Sequence, residues 1–289
     1  MDQKVWAMVD SVRVVCGFTH LQMISFFRKI RQKLLSQNRL TQYLAYAIGE
    51  ILLVTIGILI ALQVNIWNQN RINSNEEYQY YRRLLEDALE EKTIMEATIN
   101  YSNQVISHGK SAMAIFENPS DAEQDPLQNL LDFYQASQLQ DPYSAESTYT
   151  ELISSGQINL IQNEKLKTAL IRYYEIDWTS SGVFNLENKY RENLRSKMPD
   201  VIQTEIRAKC NDIYIKSRNG YQTALPKNCE FSIDYNLAKS VVETLSQDES
   251  LKKDLRYLIG NETGKVNDLN IIKIQLNDLI ELLQSLVLE

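Results

Sequence analysis

Histidine, cysteine, proline and glycine are all scarce in this 289-residue chain, which has two His, three Cys, five Pro and nine Gly. His20 and His108 supply no clustered pair for a metal and no spare for a catalytic triad. Cys16 and His20 stand at i and i+4, but two ligands alone do not make a site. With no CxxC pair, a structural zinc site is not expected. No proline precedes Pro119, and so few breakers favour long helices over a sandwich or barrel of short strands. GxSxG, HExxH and GxGxxG are missing, and GNETGK at 260–265 lacks the spacing and the Ser or Thr of a phosphate loop. The expectation is of no enzyme, no cofactor and no metal. Carboxylate-only chemistry remains open because paired acids have no sequence signature.

Hydrophobic residues make up 44% of the chain, enough for a real core. The net charge of −7 hides an asymmetry. Residues 1–43 carry seven Lys or Arg against Asp2 and Asp10, whereas residues 71–289 carry 23 against 34 acids. An acidic domain without a basic stripe is a poor follower of a phosphate backbone, so nucleic acid is not an expected partner.

Residues 44–67, LAYAIGEILLVTIGILIALQVNIW, hold one ionisable side chain, Glu50. At 1.5 Å per residue, roughly 20 residues cross the hydrocarbon of a bilayer, so this run reads as a transmembrane helix. Tyr43, Tyr46 and Trp67 bracket it as interfacial anchors. No small-residue cleavage site follows, which makes it a signal anchor. Arg28, Lys29, Arg31, Lys33 and Arg39 precede it, and by the positive-inside rule the N-terminus is cytoplasmic and residues 68–289 lie outside. Residues 23–43 read as a basic juxtamembrane helix, either resting on an anionic leaflet or simply setting topology. Residues 1–22 fit this plan poorly. They read as a non-native extension or disordered tail, with Met23 a candidate start. Within the span, Ala45 with Gly49 and Gly57 with Ala61 are small-xxx-small pairs, which suit self-association or docking to another membrane protein. Glu50 is either neutral and near the interface or a polar contact for a partner helix.

The rest is read as mostly α: one transmembrane helix continuing into an extracytoplasmic helical bundle. Glu86, Asp87, Glu90 and Glu91 read as a solvated helix face. Asp125-Pro126 opens a helix over 127–138, Gly156 closes one over 148–155, and Asn163 caps another. Helical spacing then runs from Leu186 to Met198. Ser246 and Glu249 suggest a capping box, and Gly260 a turn between two final helices. CNDIYIKSRNGYQTALPKNC, residues 210–229, reads as a hairpin-like insertion turning at Asn219-Gly220. Its ends, Cys210 and Cys229, are either two buried thiols or, outside the cytoplasm, a disulfide. Sixteen tyrosines allow ring-lined grooves for sugars or peptides, although half-buried packing is their plainer use.

The run MISFFRKIRQKLLSQNRLTQYLAYAIGEILLVTIGILIALQVNIWNQNR, residues 23–71, resembles the opening of a bacterial membrane-protein family catalogued as domain of unknown function 6090. The stretch from Tyr149 to Glu175, with TELISSGQINLIQNEKLKTALIRYYE, resembles that family's periplasmic core. The resemblance implies an inner-membrane anchor with a helical periplasmic domain and brings no catalytic residues. Residues 1–22 and the 210–229 insertion depart from it. The function expected is that of an anchored interaction or accessory protein. The alternatives are a ligand-sensing module acting through a partner and, more remotely, a carboxylate hydrolase.

Overall fold

The computed structural model describes residues 29, 40–118, 125–180, 184, 186–217 and 220–288. Of the basic residues before the apolar run, only Lys29 is among them, helical and exposed. Arg28, Arg31, Lys33 and Arg39 lie outside the described residues, as do Cys16, His20, Asn219 and the side chain of Tyr43.

The described chain is mostly helical. The first helix, α1, runs unbroken over Leu40–Glu117. It is followed by α2 (Pro126–Ala136), α3 (Ser147–Ser154), α4 (Glu164–Tyr174), α5 (Lys189–Lys197) and α6 (Asp200–Lys209). A two-stranded antiparallel hairpin, β1 (Ile213–Lys216) and β2 (Tyr221–Ala224), precedes α7 (Tyr235–Ser246) and α8 (Glu249–Leu288). The chain divides into two compact units between Ile72 and Asn73, slightly beyond the end of the apolar run at Trp67.

In the first unit the large apolar side chains of the run are exposed. Its Leu, Ile, Val and Trp side chains are exposed by 50% at Ile66 to 73% at Leu53. The hydroxyl of Thr55 donates to the Ile51 carbonyl within the helix (2.8 Å), which satisfies it without water.

The second unit is organised by two long helices that share one sequence pattern. On α1, Tyr81, Leu84, Ala88, Glu91, Met95, Thr98, Ser102 and Val105 are buried, in steps of three and four, and the pattern continues through Gly109, Ala112 and Phe116. On α8 the same steps run through Leu251, Leu255, Leu258, Glu262, Lys265, Leu269, Leu276, Leu279 and Leu283, with the partly buried Ile272 in register. This alternation averages 3.5 residues, the period of a coiled-coil seam. The helices run antiparallel: Tyr78 donates to the Val287 carbonyl (3.3 Å), Lys273 lies 3.9 Å from Glu96, and Gly109 faces Ile259. A Cβ on Gly109 would fall 3.0 Å from Ile259 Cγ1, so only glycine permits this approach without displacement.

The shorter helices complete two cores. α2, α5, α6 and α7 gather around Phe116 and Leu255, whereas α3 and α4 pack against the Tyr80–Ile99 stretch of α1 and the Leu269–Leu283 stretch of α8.

Four expectations are corrected. Gly260 does not end a helix, since α8 passes straight through GNETGK. Cβ atoms on Gly260 and Gly264 would meet nothing within 4 Å, so each glycine costs the helix about 1 kcal/mol and no more. The leucine seam on either side, joined by the buried Glu262–Lys265 pair (2.6 Å), outweighs that. The capping box at Ser246 is not formed, because Ser246 donates back to Glu243 and Asp248 accepts from the Ser250 and Leu251 amides instead. The helix expected from Leu186 starts at Lys189, capped by Asn188. Asp87, Glu90 and Glu91 are buried, not solvated.

Elsewhere the local signals act as read. Asp125 accepts from the Gln128 amide ahead of Pro126, and Asn163 accepts from the Leu166 amide. Gly156 adopts φ 71°, the left-handed geometry in which a non-glycine residue is strained.

Candidate functional site

The hydrogen bonds that draw most on ionised side chains lie where α1 receives the segment 144–162. Glu91 interrupts the apolar seam of α1 and is fully buried. Its carboxylate accepts from four donors: the Ser144 hydroxyl (3.0 Å), the Ala145 amide (2.5 Å), the Tyr173 hydroxyl (3.3 Å) and the Trp178 indole (2.5 Å). One helical turn earlier, Asp87 accepts from the Ser147 hydroxyl (3.0 Å) and the Thr148 amide (2.8 Å). Thr148 lies in the first turn of α3, whose own preceding residue, Glu146, makes no side-chain cap. Asp87 therefore caps α3 from another helix and sets a negative charge at its positive end.

The same face of α1 extends the arrangement. Glu77 accepts from the Tyr81 hydroxyl and from the Gln162 amide (2.5 Å). Tyr80 donates to Glu151 (3.0 Å) and Gln157 (2.5 Å), and Arg83 pairs with Glu151.

Charge and burial act together on the neighbouring groups. Burial, with the adjacent Glu91 carboxylate, pushes the Tyr173 and Tyr174 hydroxyls well above the ordinary tyrosine range. Burial also raises the Glu146 carboxyl, helped by the charges of Glu91 and Asp177. No ion pair reaches Asp87 or Glu91 among the described residues. Both carboxylates are instead neutralised by N–H and O–H dipoles of the fold. Glu91 gives its acceptor capacity to internal donors and has no face left for a substrate. The arrangement is a latch that fixes residues 144–178 to α1.

A second polar group closes the far end of α2. Arg191 donates to the Ser137 carbonyl (2.6 Å), and Arg195 donates to the Ser137 hydroxyl (2.9 Å) while lying over the Tyr134 ring. Two cations at a helix C-terminus answer its free carbonyls and its dipole. His108 Nδ1 lies 2.6 Å from Asp132, which also accepts from Gln128. Among the described residues no group of three or more His, Cys, Asp or Glu is placed to hold a metal.

Cys210 and Cys229 are joined as a disulfide, with Cα atoms 5.4 Å apart. Between them, the Gln104 side chain accepts from the Leu225 amide (3.0 Å) and donates to the Leu225 carbonyl (2.8 Å), and Tyr143 hydrogen-bonds Ser217 (3.1 Å). An isolated two-stranded hairpin is marginal in water, so these fastenings hold it.

The small residues of the apolar run fall on two faces. By helical periodicity Glu50 shares a face with Gly57 and Ala61, within about 20°, whereas Ala45 and Gly49 lie about 120° round the helix. Added Cβ atoms on Gly49 and Gly57 would meet nothing within 4 Å.

Sequence reasoning missed the latch by grouping four acids by their charge. The available signal was position: Glu91 falls on the seam between Ala88 and Met95, and Asp87 stands one turn before it. No family model, no curated protein and no solved structure matches the chain.

Proposed function

We propose that this chain is a membrane-anchored accessory protein, held in a bacterial inner membrane by residues 44–67 and carrying a helical periplasmic domain that engages other membrane proteins. The observation that carries this reading is the exposure of every large aliphatic side chain in the apolar run. Each large aliphatic side chain there would gain on the order of 1.5–3 kcal/mol on leaving water, so thirteen such side chains, with Trp67 beside them, are incompatible with a bare aqueous surface. A 24-residue apolar helix with an internally satisfied Thr55 suits a bilayer.

Orientation rests on the charge asymmetry around the run, and the disulfide Cys210–Cys229 suits an oxidising compartment. The family resemblance over residues 23–71 and 149–175 supports the same assignment. Glu50, Gly57 and Ala61 on one helix face supply the contact for a partner helix, or for a second copy.

The test is cross-linking in intact cells, followed by purification of the full chain in detergent and mass spectrometry. Reproducible recovery of other membrane proteins supports an accessory role. Recovery of this chain alone, in cross-linked and control samples alike, contradicts it.

A further inference from the structure

Between α4 and α8 lies an open groove of about 710 Å³. Its floor is apolar, formed by Ala169, Tyr173, Leu279 and Leu282. Its α4 wall carries two cations, Lys165 and Arg172, and its α8 wall carries two anions, Asp278 and Glu281. All four charged side chains are exposed, and none forms an ion pair or hydrogen bond with another described residue. Opposite charges on facing walls would pair across a narrower cleft, and here they stay beyond the roughly 4 Å reach of a salt bridge.

We infer that this groove binds a short peptide with free amino and carboxyl ends. The carboxylate would face Arg172 and the ammonium would face Asp278, with Lys165 and Glu281 adding to the charge of their respective walls. A single-signed ligand would leave one wall unanswered, whereas a zwitterion answers both. The volume falls within the range of about 300–1,000 Å³ typical of small-ligand sites. Gln275 and Ser285 on the rim can hydrogen-bond peptide groups.

The floor is pre-organised, because the Tyr173 hydroxyl is tied to Glu91 beneath it, so the ring is already placed before a ligand arrives. The inference does not depend on the membrane reading, since every residue it uses lies within the second unit.

The experiment is calorimetric titration of the full chain in detergent micelles with trialanine, alongside N-acetyl-trialanine-amide, which has the same length and no terminal charge. Trialanine is expected to bind saturably with Kd of about 10 μM to 1 mM, and the blocked peptide at least tenfold more weakly. Arg172→Gln and Asp278→Asn should each weaken trialanine about fivefold or more without moving the thermal midpoint, as both side chains are exposed. No saturable binding up to about 10 mM trialanine, or equal affinity for the blocked peptide, overturns the inference. Unchanged binding in both variants overturns it as well.

Discussion

The indole of Trp178 donates to the buried carboxylate of Glu91 across 87 residues of sequence. With the Tyr173 hydroxyl and the Ala145 amide on the same carboxylate, it turns one acidic residue of α1 into the anchor for three later segments. Burial of an unpaired charge is costly unless donors replace its water, and four donors do so here.

Glu91→Ala leaves those donors unsatisfied and is expected to destabilise the second unit by about 3–5 kcal/mol. Glu91→Gln, which keeps one carbonyl acceptor but turns an amide N–H₂ toward donors, should cost less, about 1–3 kcal/mol. Denaturant unfolding of the full chain in micelles, followed by tryptophan fluorescence, checks both. Equal stability of wild type and Glu91→Ala would exclude the latch.

Acid should loosen the start of α8. The Lys197 ammonium, together with the Ser250 and Leu251 donors, holds the Asp248 carboxyl well below the usual carboxylate range. A depressed carboxyl contributes stability above its unfolded value near 4 and loses it as pH falls toward the folded one. Glu146 has the opposite sign: burial raises it, so its neutral form is favoured and its contribution is lost as pH rises. Asp248→Asn should flatten the decline in thermal midpoint below about pH 4, and Asp248→Ala should cost about 1 kcal/mol at neutral pH through the lost cap. An unchanged acid limb in Asp248→Asn would contradict this assignment.

Much of this architecture is legible in the sequence, and what is not has a physical reason. Caps at Asp125 and Asn163, the left-handed Gly156 and the 213–224 hairpin follow from local chemistry, which acts over a few residues. Gly260 misleads because a local breaker signal competes with a seam that continues for turns on both sides, and tertiary packing wins. Glu91 misleads because its donors come from residues 144–178, and no window around α1 contains them. The opposite-charge groove is of the same kind, since α4 and α8 are far apart in sequence.

The disulfide Cys210–Cys229 closes a loop of about 20 residues, and reducing it should lower stability by about 3 kcal/mol. Thermal melts with and without reductant check the loss. Cys210→Ser/Cys229→Ser should reproduce the reduced melt and no longer respond to reductant. A wild-type melt indifferent to reductant would contradict the bond's contribution.

Gly109 sits where α1 meets Ile259 and Leu255 of α8. Gly109→Val should cost about 1–3 kcal/mol by overpacking, despite the usual penalty of glycine within a helix. A combined Gly109→Val/Ile259→Ala variant should recover part of that loss. Additive destabilisation in the pair would argue that the helices do not touch there.

Residues 44–67 as a bilayer-spanning anchor are tested most directly by alkaline carbonate extraction of membranes from cells expressing the full chain. The account predicts that the protein stays in the membrane pellet, and that Leu53→Lys/Ile58→Lys moves it to the supernatant, because two lysines near mid-bilayer cost about 5–7 kcal/mol on the translocon scale. Release of the unsubstituted chain by carbonate would contradict it.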